Sequence, residues 1–432
     1  MRRLVLIAFR NLMQHKRRTS LLGGAIAVVV ALLVVMTGLT NGIQTTMLRA
    51  ATTLSTGHVN IGGFYKITTG DAAPVVVEYE NLVPLVRERY PDAVVVDRIR
   101  GWGKVVSDSN SMQLGMGGVD VDTETALIDV LQITSGDLMN LRGNDTVLLF
   151  ESQAEKLEVQ VGDEITLSAP TVRGANNSLD VTVAAIAKNI GFMSGFSVFV
   201  PKAVLRDIYL MDDKATGAIQ IYLRDHEKAD EVAETLRGAV QDAGYDIMEP
   251  EGKPFWTKFQ VVTREGWTGQ RIDVTTWEDE LGFLTMSLDA FRGLTIALTL
   301  VLTLIVIVGV MNSMWMSIRE RTREIGTLRA IGMQRGGIGS MFVIEAATLS
   351  VLGSVVGALL GIALTLLLNG LHISIPRGAQ LFLMRDTLFL ETDPTTVFVA
   401  VAVISCLVTL FSLFPAVKAA RMRPVTAMHH AG

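Results

Sequence analysis

Four long stretches of this sequence contain almost no charged residue, and they constrain the fold more than any other feature. Together they hold one charge, Glu345, and they cover residues 19–48, 293–318, 336–376 and 394–417. A helix that crosses a bilayer needs about 20 apolar residues, so each stretch is long enough to span once. A buried core helix would explain one such run but not four. The sequence therefore predicts transmembrane helices over residues 21–43, 293–317, 340–369 and 394–416.

The first stretch follows a basic start, so a secretory signal peptide is the alternative interpretation. Its apolar part is longer than the 7–15 residues of an ordinary signal sequence, and no cleavage site of the A-x-A type closes it. We therefore interpret this stretch as a retained helix.

The composition agrees with a membrane protein and excludes several other classes. Hydrophobic residues make up 49% of the 432 residues and charged residues 19%, below the roughly 25% of soluble domains. A net charge of −5 argues against a nucleic-acid partner. The single cysteine, Cys406, can form neither a disulfide nor a cysteine-based zinc site within one chain.

Basic residues are distributed unevenly around the four stretches, and this distribution predicts the topology. The segments 1–18, 319–335 and 418–423 contain fourteen Lys and Arg but only two Glu. Residues 43–292 contain 22 Lys and Arg against 37 Asp and Glu. Short loops rich in Lys and Arg stay in the cytoplasm, whereas long domains cross regardless of their charge. We therefore expect both termini and the loop after the second helix to be cytoplasmic, with the long segment outside.

The long segment, residues 44–290, alternates strand and helix patterns, which indicates an α+β domain. Runs of β-branched residues bounded by Gly, Pro, Asn or Asp predict strands at 94–96, 147–150, 164–167, 179–186, 197–200 and 218–223. Amphipathic periodicity predicts helices at 81–90 and 227–243, with a further strand at 245–248. Because strands dominate between about 100 and 200, we expect two subdomains: an α+β part from both ends and a β-rich part inserted within it.

Motifs of catalytic or cofactor sites are missing from the sequence. It contains no phosphate-binding G-x-x-x-x-G-K-[ST], no H-E-x-x-H and no G-x-S-x-G. The glycine-rich Gly115–Gly118 lacks the strand–turn–helix context of a dinucleotide site, so a turn is expected there. The adjacent His429 and His430 could hold a metal only if the tail folded back. We therefore predict no catalytic residue, no cofactor and no metal.

Two residues near the apolar stretches invite a functional interpretation. An acid within a membrane, such as Glu345, is a candidate for a proton relay. It lies close to the loop at 336–337, however, so we favour a role in helix packing or at the inner interface. Trp277 precedes the second stretch. An aromatic residue there lies either in the membrane–water interface, which we expect for Trp277, or in the core of the segment that returns to the membrane.

Glycines repeat at four-residue spacing on two of the predicted helices. Small residues at this spacing let helix backbones approach closely, which predicts packing stripes at Gly353, Gly357 and Gly361, and at Gly38 and Gly42. We attribute both stripes to packing rather than chemistry.

Several segments match the pattern of a known transporter family. Residues 323–332 read REIGTLRAIG, within a matching stretch that runs from 311 to 361. Residues 8–28, 143–167 and 414–428 also fit, as does one long domain between the first and second helices. In these features the chain resembles the MacB-type (type VII) ABC transporter permeases, whose relatives include FtsX and the lipoprotein-releasing permeases LolC and LolE.

The resemblance implies a membrane protein with four transmembrane α-helices and a MacB-like periplasmic α+β domain inserted between helices 1 and 2. It implies an amphipathic cytoplasmic helix at 1–20, a cytoplasmic coupling helix at 319–332 and a cytoplasmic tail at 417–432. Residues carried over as ATPase contacts are Arg323, Glu324, Ile325, Gly326, Leu328, Arg329, Ala330, Ile331 and Gly332. The spacing of Ile325, Leu328 and Ile331 predicts one apolar stripe toward that partner.

The expected partners follow from the same resemblance. They are a separate cytoplasmic ABC ATPase, a second permease copy or paralogue, membrane lipid, and a periplasmic adaptor or lipoprotein substrate. We expect no ATPase domain to be fused at the N-terminus, so ATP hydrolysis is expected in the separate subunit, and the expected location is the inner membrane. Residues 251–276 match no family pattern.

Three functional hypotheses remain open from the sequence. The favoured one is a permease that releases lipoproteins or exports another amphiphile, with drug or peptide efflux as its variant. The second is an FtsX-like signalling protein that activates an extracytoplasmic cell-wall hydrolase. The third, a membrane-bound enzyme, has no catalytic constellation to support it.

Overall fold

A computed structural model of the protein describes residues 16–70, 72–172, 174–376, 379–380 and 383–421. The chain divides into two units. The helical unit contains residues up to Gln44, Leu288–Ser374 and residues from Thr387 onward; the α/β unit contains Thr45–Ser287 and Ile375–Asp386. Most of the helix predicted at 1–20, most of the tail at 417–432 and the histidine pair at 429–430 lie outside the described residues.

The regular elements have the following bounds. The helices are α1 Lys16–Ala51, α2 Val83–Arg89, α3 Thr125–Val130, α4 Glu151–Leu157, α5 Lys202–Tyr209, α6 Ala229–Asp242, α7 Phe255–Arg264, α8 Trp277–Glu280, α9 Gly282–Glu320, α10 Thr322–Ala330, α11 Arg335–Gly370 and α12 Pro394–Ala420. The strands are β1 Val59–Lys66, β2 Val76–Val77, β3 Val94–Val106, β4 Ser111–Val119, β5 Ile133–Gly136, β6 Thr146–Phe150, β7 Glu164–Pro170, β8 Asn176–Ala187, β9 Ser197–Pro201, β10 Ala215–Thr216, β11 Ala218–Tyr222 and β12 Gly269–Thr276.

Four of the described helices, α1, α9, α11 and α12, are long and apolar enough to cross a membrane. Together with a large α+β domain after the first of them, they confirm the predicted fold class. All four are longer than the predicted spans, and α9 has 39 residues, about 58 Å at 1.5 Å per residue. A helix can continue past the apolar layer because its backbone hydrogen bonds do not depend on the surrounding solvent.

Helices α1 and α11 pack at the four-residue glycine repeat of α11. A Cβ atom added at Gly357 would lie 2.4 Å from the carbonyl oxygen of Ala27, and one at Gly361 would lie 2.7 Å from Cβ of Val34. At Gly353 the nearest atom is the carbonyl oxygen of Gly23, at 3.1 Å. Any larger residue at Gly357 would therefore push the two backbones apart.

Gly38 and Gly42, the predicted stripe of α1, face a different neighbour. A Cβ atom at Gly42 would lie 2.2 Å from the carbonyl oxygen of Phe389, and one at Gly38 would lie 3.4 Å from that of Glu391. The amide of Glu391 donates to the carbonyl of Gly38 at 2.8 Å. The expectation of a helix–helix contact was therefore wrong here, because Gly38 and Gly42 pack against the irregular segment that precedes α12.

The α/β unit is built on a mixed sheet with the order β12-β1-β11-β3-β4-β9-β6-β8-β5, and β7 pairs with β3 and β8 off this path. Strand β3 is long enough to serve both halves of the sheet. Its residues 94–98 pair with β11, and residues 99–106 pair with β4. The α+β part and the strand-rich part therefore share one strand.

Every strand predicted between 94 and 223 is present, as are the two amphipathic helices, now α2 and α6. The strand predicted at 245–248 is reduced to an isolated bridge between Ile247 and Ile272. Strands β1, β2, β4, β5, β10 and β12 were not predicted. Trp277, expected at the membrane interface, is only 7% exposed, so its side chain is part of the core and cannot reach lipid.

The predicted glycine turn at 115–118 is also wrong, because these residues lie inside β4. A Cβ atom at Gly117 would lie 2.9 Å from the ring of Phe199, and one at Gly115 would lie 2.9 Å from Oγ of Ser197. The glycines therefore leave room for side chains of the parallel neighbour β9 to cross the strand, and no turn is needed.

Candidate coupling segment

The short helix α10 begins at a bend that keeps its hydrogen bonds. Arg321 separates α9 from α10 with φ −97° and ψ 14°. Its amide still donates to the carbonyl of Ser317 at 3.1 Å, and its own carbonyl accepts from Ile325 at 3.0 Å. The Thr322 hydroxyl bonds back into the last turn of α9, 2.9 Å from the carbonyl of Ile318. The chain therefore bends between two helices while the backbone amide and carbonyl of Arg321 both keep hydrogen-bond partners.

The other end of α10 is closed by a glycine cap. Gly332 has φ +104°, a conformation that glycine adopts without the strain caused by a Cβ atom. Its amide donates to the carbonyl of Arg329 at 3.1 Å, and the amide of Met333 donates to that of Leu328 at 3.0 Å. These two bonds are the Schellman pattern of helix C-termini. The role of Gly332 is therefore to end helix α10 through its backbone conformation.

A buried ion pair anchors the beginning of the segment. Nη1 of Arg321 lies 3.1 Å from Oε2 of Glu345 on α11, and the two residues are 6% and 8% exposed. A small cavity of about 30 Å³, enough for one water molecule, is lined by Glu345 together with Ser317 and Phe342. Glu345 therefore has a packing role, as favoured from the sequence, and its partner is the residue at which the chain turns.

The side chains of α10 divide into an inward and an outward face. Ile325 is 1% exposed and packs in the helical core with residues of α9 and α11. Gly326 is buried as well, whereas Leu328 and Arg329 are half-buried. The predicted stripe of Ile325, Leu328 and Ile331 is therefore split, since Ile331 is 79% exposed and Ile325 is covered by its own chain.

The outward face consists of residues that share one side of the helix. At 100° per residue they fall within about 120° of arc, and they are Arg323, Glu324, Thr327, Ala330 and Ile331. The face combines one base, one acid and two apolar residues beside a hydroxyl. We define these five residues as the outward face of α10. It offers a mixed surface of the kind that recognises another protein.

Sequence reasoning missed two residues of this arrangement, Arg321 and Thr327, and the ion-pair role of Glu345. The signal for the pair was an arginine and the single acid of an otherwise uncharged stretch, 24 positions apart. Charge in a basic loop is usually solvated, so the pattern alone did not connect the two. The structure also brings Lys418 to within 4.5 Å of the Trp315 ring, beside Arg319 in one open pocket.

The described residues contain no group of three or more His, Cys, Asp or Glu that could hold a metal ion. The segment itself is a short helix held at its beginning by a buried ion pair, at its middle by the packing of Ile325 and at its end by the Gly332 cap.

Comparison with known families agrees with this architecture. The family model "MacB-like periplasmic core domain" matches residues 19–239, about half of the chain. The model "FtsX-like permease C-terminal" matches residues 296–424, which include α10 and most of α9.

Individual relatives extend the likeness along the chain. The "Macrolide export ATP-binding/permease protein MacB" of Campylobacter jejuni is 24% identical over 98% of this chain and 60% of its own length. The protein of that name from Pasteurella multocida is 36% identical over 28% of this chain and 17% of its own. This chain thus spans less than two thirds of each.

Among solved structures, the extracellular domain of the noncanonic ABC-type transporter YknZ matches 43% of this chain and 95% of its own, with 15% identity and a TM-score of 0.29. The two family models together cover the first long helix, most of the α/β unit, the coupling segment and most of the last three long helices. The chain is therefore a multi-pass inner-membrane protein of the MacB/FtsX family of type VII ABC transporter permeases.

Proposed function

We propose that this permease couples ATP hydrolysis by a cytoplasmic ABC ATPase to movements of the α/β unit outside the membrane, and that these movements release lipoproteins or export another amphiphile. The ATPase belongs to a separate subunit in this proposal. Four spans are too few to enclose a path, so two copies, or one copy and a paralogue, form the working unit.

The observation that carries the proposal is the anchoring of α10. A helix that is tied to α9 and α11 through Arg321 and Ile325, and exposes five residues on its other side, can pass force from a partner into two membrane helices. The basic residues around it favour the cytoplasmic side, where an ATPase would be. The spans contain almost no charge, so movement of the outer unit fits better than a hydrophilic tunnel.

The resemblance to lipoprotein-releasing permeases and the membrane setting support an amphiphilic substrate. Relatives that match the chain are named for macrolide export, which makes efflux of an apolar drug the second candidate. Both candidates require recognition of an apolar body outside the cytoplasm, and the α/β unit is the part large enough to provide it.

Co-purification from native membranes tests the proposal. Arg323→Glu reverses a charge on the outward face of α10, whereas Arg335→Glu makes the same change beyond Gly332. We expect the first variant to lose most of its bound ATPase and the second to keep it, with equal membrane insertion. Equal recovery of the ATPase with both variants, or no ATPase with the unaltered chain, would contradict the proposed coupling.

A further inference from the structure

The α/β unit contains a cleft of about 550 Å³ that the proposed coupling leaves without a role. Its walls are mostly apolar, and five of the lining residues are aromatic: Trp102, Tyr209, Phe255, Trp256 and Phe259. Binding sites for small molecules occupy about 300–1,000 Å³ and are lined by aromatic and apolar side chains with a few polar groups. The cleft has the size and the lining of such a site.

One wall of the cleft comes from the part of the sequence with no family pattern. Helix α7 supplies Phe255, Trp256 and Phe259, and it lies between the two regions that the family models match. Trp256 and Phe259 are 37% and 38% exposed, and Trp102 opposite them is 43% exposed. The Trp102 and Trp256 rings meet edge to face at 6.3 Å. An apolar ligand would remove this aromatic surface from water.

Two polar atoms at the cleft are buried without a hydrogen-bond partner among the described residues. They are Oγ1 of Thr171 and Nε of Arg100, and both residues line the cleft. Thr171 is 6% exposed. Buried donors of this kind are costly unless something accepts from them. Unpaired donors in the wall of a cleft favour a ligand that carries an acceptor oxygen.

The surrounding charges indicate what kind of oxygen fits. The Arg100 guanidinium lies 3.6 Å from Glu280 and 3.8 Å above the Phe255 ring. Lys258 pairs with Asp273 at 2.8 Å, also buried. These two bases and two acids balance one another, so a carboxylate ligand would add an uncompensated buried charge. An uncharged carbonyl accepts the same bonds without that penalty.

We propose that the cleft binds an apolar molecule through an uncharged carbonyl oxygen, as an ester-linked acyl chain would present it. The hydrocarbon packs between Trp102 and the α7 aromatics, and the carbonyl accepts from Thr171 and Arg100. The inference deepens the proposed function, on which it rests for the view that the α/β unit handles apolar substrate.

Photocrosslinking of the full chain in lipid nanodiscs tests the cleft. The probe is the methyl ester of a long-chain fatty acid that carries a diazirine, and the free acid is its charged counterpart. We expect the ester to label peptides that contain Trp102 and Phe259, and the acid to label them roughly tenfold less.

Matched variants distinguish binding of the probe in the cleft from its non-specific partitioning into lipid. Phe259→Ala should reduce labelling by the ester about tenfold. Val261→Ala, an exposed change on the same helix that does not line the cleft, should leave it unchanged. Thr171→Val should remove most of the preference for ester over acid, and Thr171→Ser should keep it.

Labelling confined to the long apolar helices, equal labelling by ester and acid, or no effect of Phe259→Ala would each overturn the inference. The result is independent of ATPase recruitment. A chain that labels in the cleft but recovers no ATPase keeps this binding site and refutes the proposed coupling; the opposite result refutes the cleft alone.

Discussion

The helical unit and the α/β unit both bury charged side chains, but they arrange them differently. In the helical unit Arg321 meets Glu345 across a gap of 3.1 Å at the joint between two helices. In the α/β unit Arg100 pairs with Glu280, and Lys258 pairs with Asp273 nearby. Glu280 also accepts from the hydroxyl of Thr275 at 2.9 Å.

The difference indicates what each arrangement stabilises. Burial raises the pKa of Glu280 and of Asp273, and the neighbouring bases oppose that rise. A cluster of this kind distributes its charge over several partners. The pair in the helical unit instead ties one short helix, α10, to one long helix, α11. Breaking it should therefore change the position of a segment, not only the stability of a fold.

The largest effect is expected for Glu345→Ala. Removal of the carboxylate leaves the buried charge of Arg321 without its partner. A change of this kind lowers the free energy of unfolding by about 3–5 kcal/mol. We expect a lower melting temperature of the helical unit and faster amide hydrogen exchange across 321–332 than across α12. Glu345→Gln keeps an acceptor and should be milder. Unchanged exchange in Glu345→Ala would show that α10 is held by other contacts.

A smaller loss is expected for Gly357→Ala, where the added methyl group meets the backbone of α1. Overpacking of this type costs roughly 1–3 kcal/mol. Gly309→Ala is the matched control, because a Cβ atom there meets nothing within 4 Å and alanine favours the helix. Thermal melting in detergent should place the first variant below the unaltered protein and the second at or above it. The reverse order would refute close packing at Gly357.

The smallest effect concerns pH and should be confined to the α/β unit. Burial, aided by the charge of His226, lowers the pKa of His58 from 6.5 to about 4. Its Nδ1 accepts from the amide of Leu223 at 2.9 Å. Because the folded state disfavours the protonated form, this contribution to stability is complete above pH 6.5 and declines as the pH falls toward 4.

Between pH 7 and pH 5.5 the expected loss is about 1 kcal/mol. Hydrogen exchange of β1 and β11, corrected for intrinsic rates, should report it. His58→Asn keeps an acceptor without a titrating ring, so its exchange should not depend on pH in this way. An equal pH response in that variant would assign the effect to another group.

Much of the helical unit could be predicted because its signal is local. An uncharged run of about 20 residues identifies a span wherever its neighbours lie, and the spans at 21–43 and 394–416 needed nothing more. The burial of Ile325 and its separation from Ile331 could not be predicted, because they depend on which side of α10 meets α9 and α11. Arg321 was missed for the same reason.

The α/β unit was predicted less completely because its signals depend on neighbouring strands. Strands rich in β-branched residues, such as β8, were identified directly. Strand β4 was not, since Gly115 and Gly117 indicate a turn unless the side chains of β9 are known to cross them. Strand β12 and helix α7 carry polar and aromatic residues whose partners lie far along the chain, so the cleft could not be foreseen.

Site-specific crosslinking at α10 tests the central claim most directly. In a Cys406→Ser background, single cysteines at Thr327, Ala330 and Ile325 would be treated with a short bifunctional reagent in membranes that contain the ATPase. We predict crosslinks from Thr327→Cys and Ala330→Cys, which are on the outward face, and none from the buried Ile325→Cys. Crosslinks from Ile325→Cys alone, or an ATPase that crosslinks at none of the three, would contradict the account.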